Sequence, residues 1–320
     1  MNTAGKITSF TAALAASFGA AYGLGSAVGP MGGTGPVPRA GHTDSAERQG
    51  EEGGGDHAES VAGGLQVSEG GYTLDLLTPR LKAARAGELR FAVRDGSGRP
   101  VTSYQREHGK ELHLILASRD LATYRHLHPA RAADGTWSTP VSLPAAGDYR
   151  LFADFTPGTG NAPDLTLGAD LAVAGTYEPA ELPEPARTAT VDGYTVTLNG
   201  NLRPGAAADL TFHVSRGGRP VTDLRPYLGA YGHLVALRAG DLAHLHVHPD
   251  GEPGDGSTEP GPGVSFSATA PSSAAYRLFL DFEHDGTVRT AAFTVRAGAS
   301  SAAPQQAEST YGHGEGGHGH

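Results

Sequence analysis

Histidine is the residue type in this sequence best suited to chemistry, because the chain has 15 histidines and no cysteine. Methionine occurs only at Met1 and Met31, so neither a disulfide framework nor a sulfur site for Cu(I) is available. The remaining ligand types, imidazole and carboxylate, suit divalent ions such as Cu(II), Zn(II) or Ni(II). We therefore expect any bound metal to be a divalent ion, with Cu(II) or Zn(II) as the leading candidates.

Seven of the histidines fall at equivalent places in two repeats of the sequence. HLHP at 126–129 matches HVHP at 246–249, and a further histidine lies 13 residues before the first of each pair. Alternate residues of a β-strand point to the same face, so His-x-His can direct two imidazoles at one ion. A hairpin around Arg119 and Asp120 would bring the upstream histidine opposite that pair. The candidate metal ligands are His113, His126 and His128 in the first repeat, and His233, His244, His246 and His248 in the second.

Each repeat is accordingly expected to hold a metal site. Three imidazoles leave a fourth position for water or a carboxylate, an arrangement that suits Zn(II) or Cu(II) at about 2.0–2.1 Å. His244 could fill that position in the second repeat, whereas Tyr124 stands there in the first, so the two sites should differ in affinity or metal preference. Asp154 and Asp281 are weaker candidates for ligands or for partners of ligands.

A structural role is the alternative for these histidines, which would then hydrogen-bond to turns while Pro129 and Pro249 end the strands. Three further histidines, His108, His213 and His284, occur in one repeat only and are interpreted as ordinary surface or loop residues. The histidines of the Gly-rich C-terminal tail are expected to bind metal weakly and locally, if at all; these are His313, His318 and His320.

The repeated segments predict an all-β fold. From Gly71 onward, short runs of alternating apolar and polar residues are separated by Gly, Pro and Asp, which is typical of a β-sandwich. YRLFADF at 149–155 recurs as YRLFLDF at 276–282, so the unit is duplicated. Alternation assigns Tyr149, Leu151, Ala153 and Phe155, with their equivalents Tyr276, Leu278, Leu280 and Phe282, to the two cores. The expected fold is two tandem Ig-like or cupredoxin-like β-sandwich domains with a hydrophobic N-terminal helix and disordered tails.

Composition sets the expected domain boundaries. They are a signal peptide or membrane anchor at 1–30, a disordered linker at 31–66, a first sandwich at 67–175, a linker at 176–188, a second sandwich at 189–298 and a disordered His/Gly-rich tail at 299–320. The segment Ile7 to Gly29 is uncharged and follows Lys6, which is typical of a cleaved signal peptide or a transmembrane anchor. In either case the domains are expected outside the cytoplasm, with membrane contact only if the segment is retained.

The order of motifs resembles a known group of proteins. A strand with HL, then H-x-HP, then a G-x-Y-x-L-F-x-D-F strand resembles bacterial secreted or membrane-anchored heavy-metal-binding, copper-associated proteins with tandem Ig-like domains. The resemblance covers Gly71 to Gly298. It implies an extracytoplasmic protein that sequesters or hands over copper or a related ion, with the listed histidines as ligands. Since methionine-rich segments are missing, the resemblance implies binding and not a transport mechanism.

Charge and motifs narrow the function further. A formal net charge of -10 opposes binding to nucleic acid, which needs a basic face. No nucleophile elbow, phosphate loop, H-E-x-x-H helix or dinucleotide fingerprint occurs, so an enzyme is not predicted. The expected function is extracytoplasmic binding of copper or zinc for sequestration or homeostasis. The alternative is a metal-free structural or adhesive surface module, which would present loops such as the acidic stretch at 250–263 to another protein.

Overall fold

The computed structural model describes residues 62–158, 162–245 and 247–298. All regular elements in these ranges are strands, which confirms the all-β prediction. Among the described residues, no helix has the length and apolar character to cross a membrane. The predicted N-terminal segment, most of the predicted linker at 31–66 and the C-terminal tail lie outside the described residues.

The first β-sandwich contains ten strands, several of them short. One sheet has the order β1-β2-β4-β8-β7 and the other β3-β10-β9-β5-β6, with β3 parallel to β10. The strands are β1 (Ser68–Glu69), β2 (Tyr72–Leu76), β3 (Arg80–Lys82), β4 (Ala86–Arg94), β5 (His113–Ser118), β6 (Tyr124–Leu127), β7 (Ala130–Arg131), β8 (Thr136–Ser142), β9 (Gly147–Phe155) and β10 (Leu165–Ala174).

The second β-sandwich repeats this plan. Its strands are β11 (Thr188–Val191), β12 (Tyr194–Asn199), β13 (Ala207–Arg216), β14 (Arg219–Pro220), β15 (His233–Arg238), β16 (His244–Leu245), β17 (Val247–Pro249), β18 (Gly263–Thr269), β19 (Ala275–His284) and β20 (Thr287–Arg296). One sheet has the order β11-β12-β13-β18-β17, with β14 paired to β13, and the other β16-β15-β19-β20. The two domains form the tandem β-sandwich architecture expected from the duplication.

The core of each sandwich contains the side chains that alternation assigned to it. All four predicted core residues of β9 are at most 2% exposed, and their four equivalents on β19 are fully buried. Burial of each large apolar side chain contributes about 1.5–3 kcal/mol to folding. These positions determine the fold of each domain and leave the opposite faces of β9 and β19 for another contact.

That contact is a third apolar cluster, which lies between the two sandwiches. Phe152 of β9 and Phe279 of β19 point away from their own cores and are nevertheless buried. The ring of Tyr124 stacks on Phe279 with centroids 4.2 Å apart and planes 6° from parallel. The buried members of the cluster are Ile115, Ala117, Leu121, Tyr124 and Phe152 from the first domain and Val235, Leu237, Leu242 and Phe279 from the second. The β5–β9 sheet therefore packs on the β15–β19 sheet.

The segment before β1 also contacts both domains. Gly63 exchanges two backbone hydrogen bonds with His244, at 3.0 and 3.1 Å. Arg150 donates from Nε to the carbonyl oxygen of Gly64 at 2.7 Å. Residues 62–66 were expected to belong to a disordered linker, and these contacts correct that expectation for this short stretch, because its backbone is hydrogen-bonded to the two sandwiches.

Candidate metal centre

The β5–β6 hairpin brings the three histidines of the first repeat together. Ile115 is paired with His126 in the antiparallel register, so His113 at the start of β5 lies near the far end of β6. His128 lies just beyond β6, which ends at Leu127, and therefore does not share one continuous strand with His126 as expected. The ring centroids of His126 and His128 are nevertheless 4.9 Å apart. One ring nitrogen from each of His113, His126 and His128 lies within 4.8 Å of the other two.

Hydrogen bonds determine which nitrogen of His113 and His126 carries a proton. The Nε2–H of His113 donates to the carbonyl oxygen of Glu107 at 3.2 Å, and the Nδ1–H of His126 donates to the carboxylate of Asp281 at 3.0 Å. Carbonyl and carboxylate oxygens are acceptors, so these two nitrogens must be the protonated ones in neutral rings. The other nitrogens, Nδ1 of His113 and Nε2 of His126, then both present lone pairs.

These two lone-pair nitrogens face each other at 3.3 Å. In neutral rings, two acceptors at this distance form no hydrogen bond, and a cation between them would satisfy both. Two nitrogens that each lie about 2.0–2.1 Å from one tetrahedral ion are about 3.3–3.4 Å apart. The observed separation matches that spacing.

His128 supplies a third nitrogen to the same place. Its Nε2 is buried and has no hydrogen-bond partner, which is costly for a polar atom unless something binds it. The ring centroids of His113 and His128 are 5.8 Å apart. One nitrogen from each of the three rings thus lies within 4.8 Å of the other two, with no thiolate or thioether among them.

The electrostatic environment favours the neutral form that metal binding requires. Burial, together with the proximity of His126, lowers the pKa of His113 to about 3. Burial and His126 likewise lower the pKa of His128 to about 4. Neutral imidazole is the ligand form for divalent ions, so these rings need not release a proton to bind a metal near pH 7.

Asp281, the carboxylate that orients His126, belongs to the second sandwich. It lies on β19, is 2% exposed, and accepts a hydrogen bond from the hydroxyl of Tyr124 at 3.1 Å. The hydroxyl of Thr290 donates to its other oxygen. The sequence predicted Asp281 as a possible ligand or partner of a ligand, but it did not indicate that the histidine concerned belongs to the other domain.

His233 of the second repeat lies beside the first-repeat cluster. Its Nε2–H donates to the carbonyl oxygen of Tyr227 at 2.8 Å, which leaves Nδ1 as the lone-pair nitrogen. Its ring centroid lies 6.1 Å from that of His113 and 6.0 Å from that of His126. Burial, followed by the proximity of His126, lowers the pKa of His233 to about 4. The ring is near enough to line the site, although it is not one of the three nitrogens that converge most closely.

The other described members of the predicted second ligand set, His244 and His248, line the cavity beside the first-repeat cluster but are not among the three nitrogens that lie within 4.8 Å of one another. His244 on β16 packs against Phe152 of the first domain, with ring centroids 5.8 Å apart. His248 lies on β17, where it pairs with Ser267 in the opposite sheet. Among the described residues, three mutually close ligand nitrogens are found in the first repeat alone. Because His246 lies outside the described residues, a second site of different affinity or metal preference stays a prediction.

Two histidines that sequence reasoning set aside have distinct surroundings. His108 is exposed, and its ring centroid lies 5.3 Å from that of His233 at the rim of the cluster. His108 lies in the Glu107–Lys110 turn, which comes shortly before His113 in the chain. His284 is buried and bonded to the hydroxyl of Tyr194 at 2.7 Å and to Asp223 at 3.0 Å, so it has a structural role.

A cavity of about 290 Å³ opens beside the cluster between the two sandwiches. Its lining includes His113, His126, His233, His244, His248 and Asp154. An ion in this cavity could therefore reach the rings of His113 and His126.

Solved structures with detectable similarity are distant. FdeC, an adhesin of Escherichia coli, is 15% identical over 72% of this chain and 65% of its own, with a TM-score of 0.23. The Yersinia pseudotuberculosis adhesin InvE is 13% identical over 72% of this chain and 60% of its own, with a TM-score of 0.21. Salmonella alpha-2-macroglobulin is 15% identical over 74% of this chain and 15% of its own, with a TM-score of 0.25. The matches span less than two thirds of each of those chains, and TM-scores this low support no conclusion about function.

Sequence comparison gives a closer relation. No curated protein matches the chain. A family model described as a domain of unknown function, DUF8832, matches twice, over residues 66–169 and 189–299. These two matches coincide with the two sandwiches and cover more than half of the sequence, so the chain belongs to the DUF8832 family.

Proposed function

We propose that the protein binds one divalent metal ion, Cu(II) or Zn(II), through His113, His126 and His128. The observation that supports this most is the pair of facing lone-pair nitrogens of His113 and His126, 3.3 Å apart. In each ring the other nitrogen carries the proton and donates it to an oxygen. An ion between the two rings would therefore bind two lone pairs that cannot hydrogen-bond to each other.

A shared proton is the simplest competitor of the metal. It would bridge His113 and His126, but it would make one ring cationic in a place where burial lowers the pKa of His113 to about 3. It would also leave the buried Nε2 of His128 without a partner. A metal ion engages all three nitrogens, which is why it is the better candidate.

The ligand set suits sequestration or homeostasis of an ion outside the cytoplasm. Three imidazoles without a thiolate favour Cu(II) or Zn(II), and the cavity of about 290 Å³ reaches two of them, His113 and His126. The extracytoplasmic location is inferred from the uncharged segment between Ile7 and Gly29.

A metal-free structural or adhesive module is the second candidate. The apolar cluster between the sandwiches favours it, since the pair of domains can stay docked without a ligand. No comparison bears on metal binding, so the main proposal depends on side-chain geometry.

Calorimetric titration of the full chain with Cu(II) and with Zn(II) separates the two candidates. The His126→Ala/His128→Ala variant should lose one tight equivalent. His213→Ala is the matched control, because His213 is exposed on β13 and lies outside the cluster. Every variant carries the same terminal histidines, so their weak binding cancels in the comparison. Absence of a tight equivalent in the unmodified chain, or equal loss in both variants, would leave the metal-free module as the better account.

A further inference from the structure

We infer that the metal site is completed only when the two sandwiches are docked, because Asp281 of the second domain is the positioning residue for His126 of the first. This inference depends on the proposed function. It concerns a residue that touches the ligand histidine and not the ion.

The carboxylate of Asp281 is held in place from several sides. It is 2% exposed and accepts hydrogen bonds from the hydroxyls of Tyr124 and Thr290 in addition to the imidazole of His126. Its strand, β19, lies between β15 and β20, so the backbone is fixed by pairing on both sides. A group restrained in this way has little freedom to follow His126, and His126 must therefore orient toward it.

This contact decides which nitrogen of His126 is available. With Nδ1–H bonded to the carboxylate, Nε2 keeps its lone pair and points at Nδ1 of His113. Histidines that bind metals commonly donate their other N–H to a carboxylate, which fixes the tautomer and increases the basicity of the ligand. Here that carboxylate comes from the other domain.

The domain interface is built around the same residues. Tyr124, which donates to Asp281, also stacks on Phe279, two residues before it on β19. Separation of the sandwiches would remove Asp281 from His126 and free the imidazole to rotate or change tautomer. Ion binding should therefore be weaker in the undocked protein, and by reciprocity the ion should strengthen docking by the same factor.

The Asp281→Asn variant tests the inference on the full chain. Asparagine has the same shape, but its amide can donate to Nδ1 of His126, which would place the proton on Nε2, where the ion should bind. We expect Cu(II) affinity to fall about 10- to 100-fold. Electron paramagnetic resonance of the Cu(II) complex should show one imidazole nitrogen fewer than in the unmodified protein.

Two control variants remove contacts of the same carboxylate without altering His126. Tyr124→Phe and Thr290→Val each delete one hydroxyl donor to the carboxylate but keep its bond to His126, so their loss of Cu(II) affinity should be clearly smaller than that of Asp281→Asn. In a His126→Gln background, Asp281→Asn should have no further effect, since coupled residues are non-additive. Two results would overturn the inference. One is a Cu(II) affinity of Asp281→Asn equal to that of the controls. The other is a further drop in affinity, as large as in the unmodified chain, when Asp281→Asn is added to His126→Gln.

A measurement on the unmodified, metal-free protein covers the case in which Asp281→Asn does not fold. Nitrogen-15 spectra of the histidine rings, with His126 assigned from the His126→Gln variant, should show the Nδ1–H tautomer at His126. The Nε2–H tautomer there would contradict the inference. Failure of the unmodified chain to bind Cu(II) at all is a different result, because it would reject the proposed function itself.

Discussion

The two repeats carry the same histidine motif and use it differently. In the first, His113, His126 and His128 converge within 4.8 Å. In the second, His233 lies beside the first-repeat cluster and His248 is on a strand of the other sheet. Each repeat contributes one phenylalanine, Phe152 or Phe279, to the domain interface. The residues that pack on these two rings differ between the repeats.

The residue two places before each H-x-H pair lies at the domain interface in both repeats. Tyr124 of the first repeat stacks on Phe279 of the second, and the equivalent His244 packs on Phe152, the equivalent of Phe279. The contacts are related as if by a two-fold axis, but one partner is a tyrosine and the other a histidine. His244 therefore occupies an interface position and also lines the cavity beside the first-repeat cluster, and its role as a ligand stays a prediction.

The largest expected effect concerns this interface. Phe279→Ala and Phe152→Ala should each lower the free energy of unfolding by about 3–5 kcal/mol, because both rings are buried between the domains. Urea denaturation of the metal-free protein measures this directly. A loss below about 1 kcal/mol for either variant would show that its half of the interface contributes little.

A matched pair of substitutions compares a ligand with its counterpart at the interface. His113→Asn should lower Cu(II) affinity by more than about 100-fold, since loss of a ligand should exceed the usual cost of losing a supporting partner. His244→Asn should leave the affinity within about threefold. Titration of both variants with Cu(II) checks this, and a large loss in His244→Asn would return that residue to the ligand set.

Stability of the metal-free protein should depend on pH because buried histidines have lowered pKa values. The pKa is about 3 for His113 and about 4 for His128 and His233, below the ordinary value of 6.5. The unfolded chain binds protons first, so the free energy of unfolding should fall as pH drops from about 6.5 toward 4. The slope is at most about 1.4 kcal/mol per pH unit for each histidine, and smaller because the rings are partly exposed.

Urea titrations at several pH values in the presence of a chelator measure this slope. The His113→Gln/His128→Gln variant should show a shallower dependence, with the contribution of His233 remaining. Stability that stays constant or rises as pH falls through this range would contradict the neutral, buried state of the cluster.

Local patterns in the sequence predicted much of the fold and part of the site. Alternation in YRLFADF identified the core face of β9, and the spacing of His113 and His126 predicted their approach across a hairpin. Both inferences concern neighbours along one strand or across one turn, where geometry follows from residue order.

Contacts between the domains could not be predicted in this way. The burial of Phe152 and the hydrogen bond between Asp281 and His126 depend on how the two sandwiches dock. Neither contact can be recognised from the local sequence pattern, because the repeats are similar and each could have formed its own metal site. The sequence suggested two sites of different affinity or metal preference, and the described residues bring one set of three histidines together.

The most direct test of the account compares equivalent double substitutions in the two repeats. Cu(II) and Zn(II) should be titrated into the full chain, into His126→Ala/His128→Ala and into His246→Ala/His248→Ala. We expect one tight equivalent in the unmodified chain, lost in the first variant and retained in the second. Two tight equivalents, with one lost in each variant, would contradict a single site in the first repeat, and no tight equivalent in any protein would contradict metal binding altogether.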